Sequence, residues 1–154
     1  MWFRLPRREW AAGKGDGNKR ALAKLLRGGT EPGIIAYAGR EPAGWVALAP
    51  REEYVRLASS RTLKPIDERP VWSVSCFFIA RAYRGQGLMT RLIESAAAFA
   101  RKRGATLIEG YPANPKTRTA DAFLYTGTRS AFARAGFEVA ARPSKAAVIM
   151  RRAV

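Results

Sequence analysis

The 154-residue chain contains no histidine, one cysteine, and 12 acidic residues against 28 basic ones, a formal charge of +16. Each shortage closes a route. Without histidine, neither a Ser-His-Asp nor a Cys-His triad can be assembled. Zinc sites of the Cys/His kind, HExxH included, are equally out of reach, and no metal site is expected. One cysteine cannot form an internal disulfide, so nothing points to an oxidising compartment. Long apolar runs are missing too. The most apolar stretch, Val74–Ala80, falls far short of the roughly 20 residues a membrane span needs. Met1 to Arg8 carries no hydrophobic signal region. The expectation is a soluble, cytoplasmic protein with no membrane partner. Its chemistry must rest on carboxylates, hydroxyls, backbone amides, the lone thiol or a bound cofactor.

What is present suffices for one folded unit. Apolar residues make up 47% and aromatics 10% of the chain, enough for a real core at this length. No repeat, low-complexity stretch or linker divides the sequence, so residues 1–154 are expected to form a single domain. Arginine supplies 21 of the cations and lysine 7. The net charge is +6 over residues 1–69 and +10 over residues 70–154. Such a field attracts nucleic acid or an anionic small molecule such as a nucleotide cofactor. An arginine-rich solvated surface is the plainer alternative. No uninterrupted run of five basic residues marks a nucleic-acid tail.

Periodicity places the elements. Trp2–Leu5 alternates weakly and is expected as a first strand ended by Pro6. Asp16 or Asn18 is placed to cap a helix through Leu22, Leu25 and Leu26, stopped by Gly28-Gly29. Residues 33–38 and 44–48 read as a hairpin around Gly39–Pro42. Residues 51–70 are a polar excursion with a short helix near Glu52–Leu57. Val71–Ala80 begins alternating and ends apolar, as a central strand does. A helix follows with Leu88, Leu92, Ala96 and Phe99 on one face, closed by basic residues and Gly104. Ala105–Tyr111 is a strand cut by Pro112. Thr128 caps a short helix to Ala135, and residues 139–141 and 146–150 form a last hairpin.

The informative unit is the loop between the central strand and the long helix, Arg84-Gly85-Gln86-Gly87-Leu88-Met89. A helix N-terminus offers unpaired N–H groups and about half a positive charge. Glycines let backbone approach an anion closely, and a pyrophosphate is the natural guest. A tight strand-to-helix turn without a ligand is the alternative. The segment Phe77–Leu88 resembles the acyl-CoA-binding motif of the GNAT (N-acetyltransferase) superfamily, Arg/Gln-x-x-Gly-x-Gly/Ala between an apolar strand and an amphipathic helix. Arg84 and Gly87 match; Met89 departs from the last position. Ala131–Phe137 resembles the family's Phe/Tyr-Tyr-x-x-x-Gly-Phe segment, and the order of elements agrees along the whole chain.

The resemblance implies an α/β (α+β) fold: a mixed central sheet of about six to seven strands, splayed in the middle and flanked by helices. It implies acetyl-CoA (coenzyme A) as cofactor. Backbone groups of Phe78, Ile79 and Ala80 would pair with pantetheine, and the amides of Gly85, Gln86, Gly87, Leu88 and Met89 would hold the pyrophosphate beside Arg84. Asn114 is a candidate to bond a pantetheine amide, with an ordinary Asn114-Pro115 turn as its alternative, and Ser130 is a candidate contact for the thiol. Arg81, Arg118 and Arg129 are candidates for the phosphate at the adenosine end. The implied activity is N-acetyl transfer to an amine of a small-molecule or protein acceptor.

That chemistry needs a neutral amine, a polarised thioester, alignment and a proton for the leaving thiolate. The glutamate many relatives carry in the central strand is absent. Glu109, in the neighbouring strand, is the best local carboxylate as base; a salt bridge to one of the many arginines is its alternative. Asp121 is a second carboxylate, with a helix cap as its alternative. Phe132 stands where the family has its proton-donating tyrosine and is expected to pack in the core. Tyr125 and Tyr111 are the candidate replacements. Cys76, in an apolar run, is expected to be an inert small hydrophobe.

Two other functions stay open: a non-catalytic acyl-CoA-binding sensor and a basic nucleic-acid-binding module. The positive surface favours a small acidic or neutral acceptor over a basic protein tail. The 51–70 excursion is a candidate wall of the acceptor pocket or a homodimer contact.

Overall fold

Six segments of alternating or apolar sequence become strands in the computed structural model, which describes residues 1–113 and 124–154. They are β1 (Gly33–Ala38), β2 (Glu41–Pro50), β3 (Trp72–Ile79), β4 (Leu107–Gly110), β5 (Glu138–Ala141) and β6 (Ile149–Ala153). They form one sheet in the order β1-β2-β3-β4-β6-β5. Only β3 and β4 run parallel; every other pair is antiparallel. The helices are α1 (Arg7–Ala12), α2 (Asp16–Arg27), α3 (Val55–Ala58), α4 (Leu88–Lys102) and α5 (Arg129–Arg134). None of the described helices is long and apolar enough to cross a membrane.

The long helix α4 buries Leu92, Ile93, Ala96, Ala97 and Ala100. Its alanines let it lie close to the sheet, where Val46, Leu48, Val74 and Phe77 meet it and α5 adds Phe132. Each large apolar side chain buried here contributes roughly 1.5–3 kcal/mol. Phe132 has no exposure, and its ring meets those of Phe77 and Phe137 edge-on at 6.0 and 5.0 Å. Its place in the core is the one expected from the sequence. A smaller cluster on the opposite face gathers Ala49, Tyr54, Leu57, Tyr111 and Ile149, with Phe3 and Leu63 against it.

The centre of the sheet opens. β4 pairs with β3 only from Trp72 to Val74, opposite Ile108 to Gly110, while β3 continues to Ile79. Two features drive the parting. On the β2 side, Ala47 faces Cys76 and Leu48 faces Val74, so Ser75 is an extra, bulged residue that bends β3 where β4 leaves it. On the β4 side, Pro112 has no N–H to continue a ladder. The sheet is therefore mixed and splayed in the middle, with six strands.

Three expectations from the sequence are corrected. Trp2–Leu5 is a turn, in which the Arg4 and Leu5 N–H groups donate to Met1 O. Its aromatics find ring partners instead of a strand partner: Trp2 packs on Trp10 and Phe3 on Tyr54. Neither Asp16 nor Asn18 caps α2; Gly15 is the N-cap, and the Asn18 amide donates to Trp10 O at 2.9 Å. The last strand starts at Ile149, because Ser144 Oγ takes the N–H groups of Ala146 and Ala147 in a turn. By contrast, Thr128 caps α5 as expected, its hydroxyl accepting from Ala131 N–H.

Gly110 tests how tightly the sheet closes beneath α5. A Cβ there would lie 2.2 Å from Cε1 of the fully buried Phe132 ring. Gly110→Ala is expected to destabilise the protein by about 1–3 kcal/mol in urea unfolding, and Phe132→Leu in the same chain should recover part of that loss.

Candidate active site

The loop after β3 owes its shape to two glycines in the left-handed region, Gly85 at φ 73° and Gly87 at φ 76°. A Cβ at either position would meet nothing within 4 Å. Backbone sign, not crowding, demands glycine here, and the loop faces open space. Gly87 is the N-cap of α4 and has no side chain to satisfy the first-turn N–H groups. The loop is braced from within: Arg84 Nε donates to Ile79 O at 3.0 Å, and the Gln86 amide donates to Ala82 O at 2.8 Å.

In front of the loop lies a cleft of about 680 Å³. Of the residues singled out from sequence, it is lined by Phe78, Ile79, Arg84, Gly85, Gly87, Leu88, Met89 and Tyr125. Ala80, Gln86, Ser130 and Glu109 are not among its walls. Asn114, Arg118 and Asp121 lie outside the described residues. The Ser130 hydroxyl sits 3.2 Å from that of Thr128. Arg81 opens a short helical turn at the end of β3, and neither it nor Arg129 lines the cleft.

The backbone of β3 corrects the expected strand pairing. Ala80 N–H already donates to Ala43 O at 3.0 Å. In an antiparallel ladder the outward groups alternate, so Phe78, opposite Trp45, also turns its N–H and C=O to β2. The side opened by the departure of β4 belongs to Phe77 and Ile79. Phe77 N–H donates to Tyr125 O at 2.6 Å, and Ile79 O receives Arg84. Ile79 N–H and Phe77 C=O face the gap. Phe78 contributes its side chain to the cleft, 60% exposed.

Sequence reasoning missed Phe77, Thr90, Thr128 and Arg134, all of which line the cleft. Thr128, Ala131 and Arg134 stand at intervals of three, one stripe of a short helix, and that spacing was the available signal. Thr90 lies in the first turn of α4, and its Oγ1 is buried without a hydrogen-bond partner.

Glu109 has a different setting from the one a base needs. Its side chain is fully buried and divided between two arginines: Arg51 Nη1 at 3.0 Å from Oε1 and Arg151 Nε at 2.7 Å from Oε2. Tyr111 donates to the same Oε1 at 2.5 Å and in turn meets Arg51 and Ser73. Burial and the Glu109 charge push the Tyr111 phenol well above its ordinary value, and its proton is committed to Glu109. Arg51 also reaches Leu63 O, and Arg151 reaches Asp67 at 2.7 Å. Hydrogen bonds from Arg69 and Arg151 hold the Asp67 carboxyl well below its usual range. The cluster ties the 51–70 excursion to β4 and β6; it is the salt-bridge alternative, with two arginines instead of one.

Tyr125 stands where two cavities meet. It lines both the cleft and a second cavity of about 400 Å³ on the other side of the parted strands. It is 37% exposed. Cys76 lines neither cavity, and burial pushes its thiol up, away from the reactive thiolate. Beside it on β3, Ser75 lies next to Tyr54, whose phenol burial raises to about 12.

The sequence matches the Acetyltransferase (GNAT) family over residues 1–123. No curated protein matches it. Among solved structures, a GNAT-family protein from Desulfovibrio desulfuricans superposes with a TM-score of 0.59 at 18% identity, over 97% of this chain and 94% of the other. A Bacillus subtilis acetyltransferase in complex with CoA gives 0.53 at 18% identity, over 90% and 86%. The yncA protein of Salmonella typhimurium, with acetyl-CoA, gives 0.57 at 14% identity, over 90% and 73%. At these identities the likeness is one of fold.

The Glu109 cluster carries its own test. Removing one member of a buried ion cluster leaves the others uncompensated and costs about 3–5 kcal/mol. Glu109→Gln is expected to lower the unfolding free energy by that amount in urea. A loss within ~0.5 kcal/mol would show that the carboxylate is not committed to Arg51 and Arg151.

Proposed function

The chain belongs to the GNAT acetyltransferase family, and from that premise we propose that it is an N-acetyltransferase moving the acetyl group of acetyl-CoA to an amine acceptor. One observation carries the proposal: the left-handed Gly85 and Gly87 open the N-terminus of α4 onto a cleft that runs beside the parted strands β3 and β4. The residues present fit the cofactor. Uncapped amides of Gly85 to Met89 suit its pyrophosphate, with Arg134 as a nearby cation. The orphan Thr90 hydroxyl offers a further polar contact. Ile79 N–H, and Phe77 C=O, which otherwise receives only the Cys76 thiol at 3.8 Å, would bond the amides of the pantetheine arm as an added strand does.

Acetyl-CoA supplies an activated thioester: the carbon–nitrogen bond forms as the carbon–sulfur bond breaks, the amine gives up a proton and the sulfur takes one. The chain aligns that exchange in a largely apolar groove and keeps water from the thioester. Tyr125, at the meeting of the two cavities, is the residue assigned to hand a proton to the sulfur. Glu109 is spent in its ion cluster and takes no part as base; solvent receives the amine proton. The rate should therefore rise with pH as the acceptor amine loses its proton and fall again where the Tyr125 phenol does.

Acetyl-CoA at 100 times its Kd should stabilise the protein by about 2.7 kcal/mol, seen as a rise in Tm. Gly87→Glu should abolish the rise by placing negative charge in the loop. Gly87→Ala, which adds the same backbone strain without charge, should keep part of it. Tyr125→Phe should keep the Tm rise while lowering kcat by about 100-fold. A Tm rise without CoA release across an amine panel would instead support an acyl-CoA sensor; no rise at millimolar acetyl-CoA would overturn both.

A further inference from the structure

The second cavity has a composition of its own. Trp2, Phe3, Leu57 and Tyr111 make most of its wall apolar or aromatic, and Tyr125 joins it to the cofactor cleft. Among the described residues, Arg56 is the one charged side chain in its lining, and no carboxylate is present there. The Arg56 guanidinium lies over the Trp2 ring, 3.6 Å from its centroid. That contact holds the guanidinium against the ring, and no hydrogen bond among the described residues uses its side-chain N–H groups. Arg56 Nη1 is buried and has no hydrogen-bond partner. An unpartnered buried cationic N–H costs free energy that an oxyanion would relieve.

From these observations we propose that this cavity is the acceptor pocket and that it selects a small aromatic or apolar amine bearing a carboxylate, which Arg56 binds. The proposal rests on the acetyltransferase assignment above and names the acceptor class for it. A single planar fork matches one carboxylate in bidentate fashion. One arginine among the described lining residues suits that ion better than a phosphate, whose larger charge calls for several cations. The apolar wall takes the body of the molecule. Its amine meets the cofactor arm at Tyr125, where the two cavities join. With no acidic group among the described lining residues to hold an ammonium, the amine enters as the neutral nucleophile. A polycationic peptide is disfavoured by Arg56 and by the net charge of +16 together.

The test uses two matched probes, L-phenylalanine and 2-phenylethylamine, which differ by the carboxylate. Binding of each to the full chain saturated with CoA is measured by calorimetry, and kcat/KM by CoA release from acetyl-CoA. L-Phenylalanine is expected to bind at least about tenfold tighter, the scale of one charge-assisted contact. Arg56→Met should erase that preference, so that within the variant the two probes bind equally. Arg56→Lys, which keeps the charge and loses the fork, should retain part of the preference. Equal affinities, a preference for 2-phenylethylamine, no binding of either probe, or a preference that survives in Arg56→Met would each overturn the proposal. The acetyl-CoA Tm shift, measured on the same samples, separates the two levels. If it persists while the probes fail, the acceptor class is wrong and the cofactor assignment stands; if it is absent, the cofactor assignment fails as well.

Discussion

β3 has a parallel neighbour over three residues and then loses it. A strand in the middle of a sheet is normally satisfied on both edges, since an unpaired buried N–H or C=O costs as much as a lost hydrogen bond. From Ser75 onward β3 is satisfied by β2 on one side only, and what happens on the other side organises the site. One N–H, that of Phe77, is taken by Tyr125 O, which draws the segment after the parted strand back to the gap. One carbonyl, that of Ile79, is taken by Arg84, which shapes the glycine loop. The remaining groups are those an extended ligand arm would use. The opening, the loop and the position of Tyr125 thus follow from one interrupted ladder.

The interruption needs a firm edge, and the Glu109 cluster provides it. Glu109 sits opposite Ser73 in the last stretch where β3 and β4 are paired, and opposite Arg151 on β6. Two guanidinium groups and the Tyr111 hydroxyl close around its carboxylate at the point where the strands begin to diverge. On the other face, Phe132 fills the space that a side chain at Gly110 would need. One face of the parting is locked by charge and the other by packing, so β4 can leave β3 without the sheet unravelling. The same cluster pins the 51–70 excursion, whose helix α3 carries Leu57 and Arg56 to the wall of the second cavity.

The sequence made the glycine loop and its cleft legible because both are built from local signals. An apolar strand, two spaced glycines and an amphipathic helix are contiguous, and their geometry follows from φ sign and periodicity. Thr128 as a cap and Phe132 as core were readable for the same reason. The second cavity depends on contacts between distant residues. Nothing near Glu109 in the chain announces Arg51 or Arg151, 58 and 42 positions away. Trp2 and Phe3 look like strand residues until Trp10 and Tyr54 are seen to hold them in a turn. The parity of β3 was the remaining error: a one-residue choice decides which backbone groups face the gap, and only the register with β2 fixes it.

That parity allows a direct measurement: amide hydrogen exchange along residues 75–91, with and without acetyl-CoA. The expected result is new protection at Ile79 and across Gly85 to Met89, with Phe78 and Ala80 already protected by β2 and unchanged. Exchange in the loop and at Ile79 that does not respond to acetyl-CoA, or protection gained at Phe78 and Ala80 instead, would contradict the assignment of the cleft as the cofactor site.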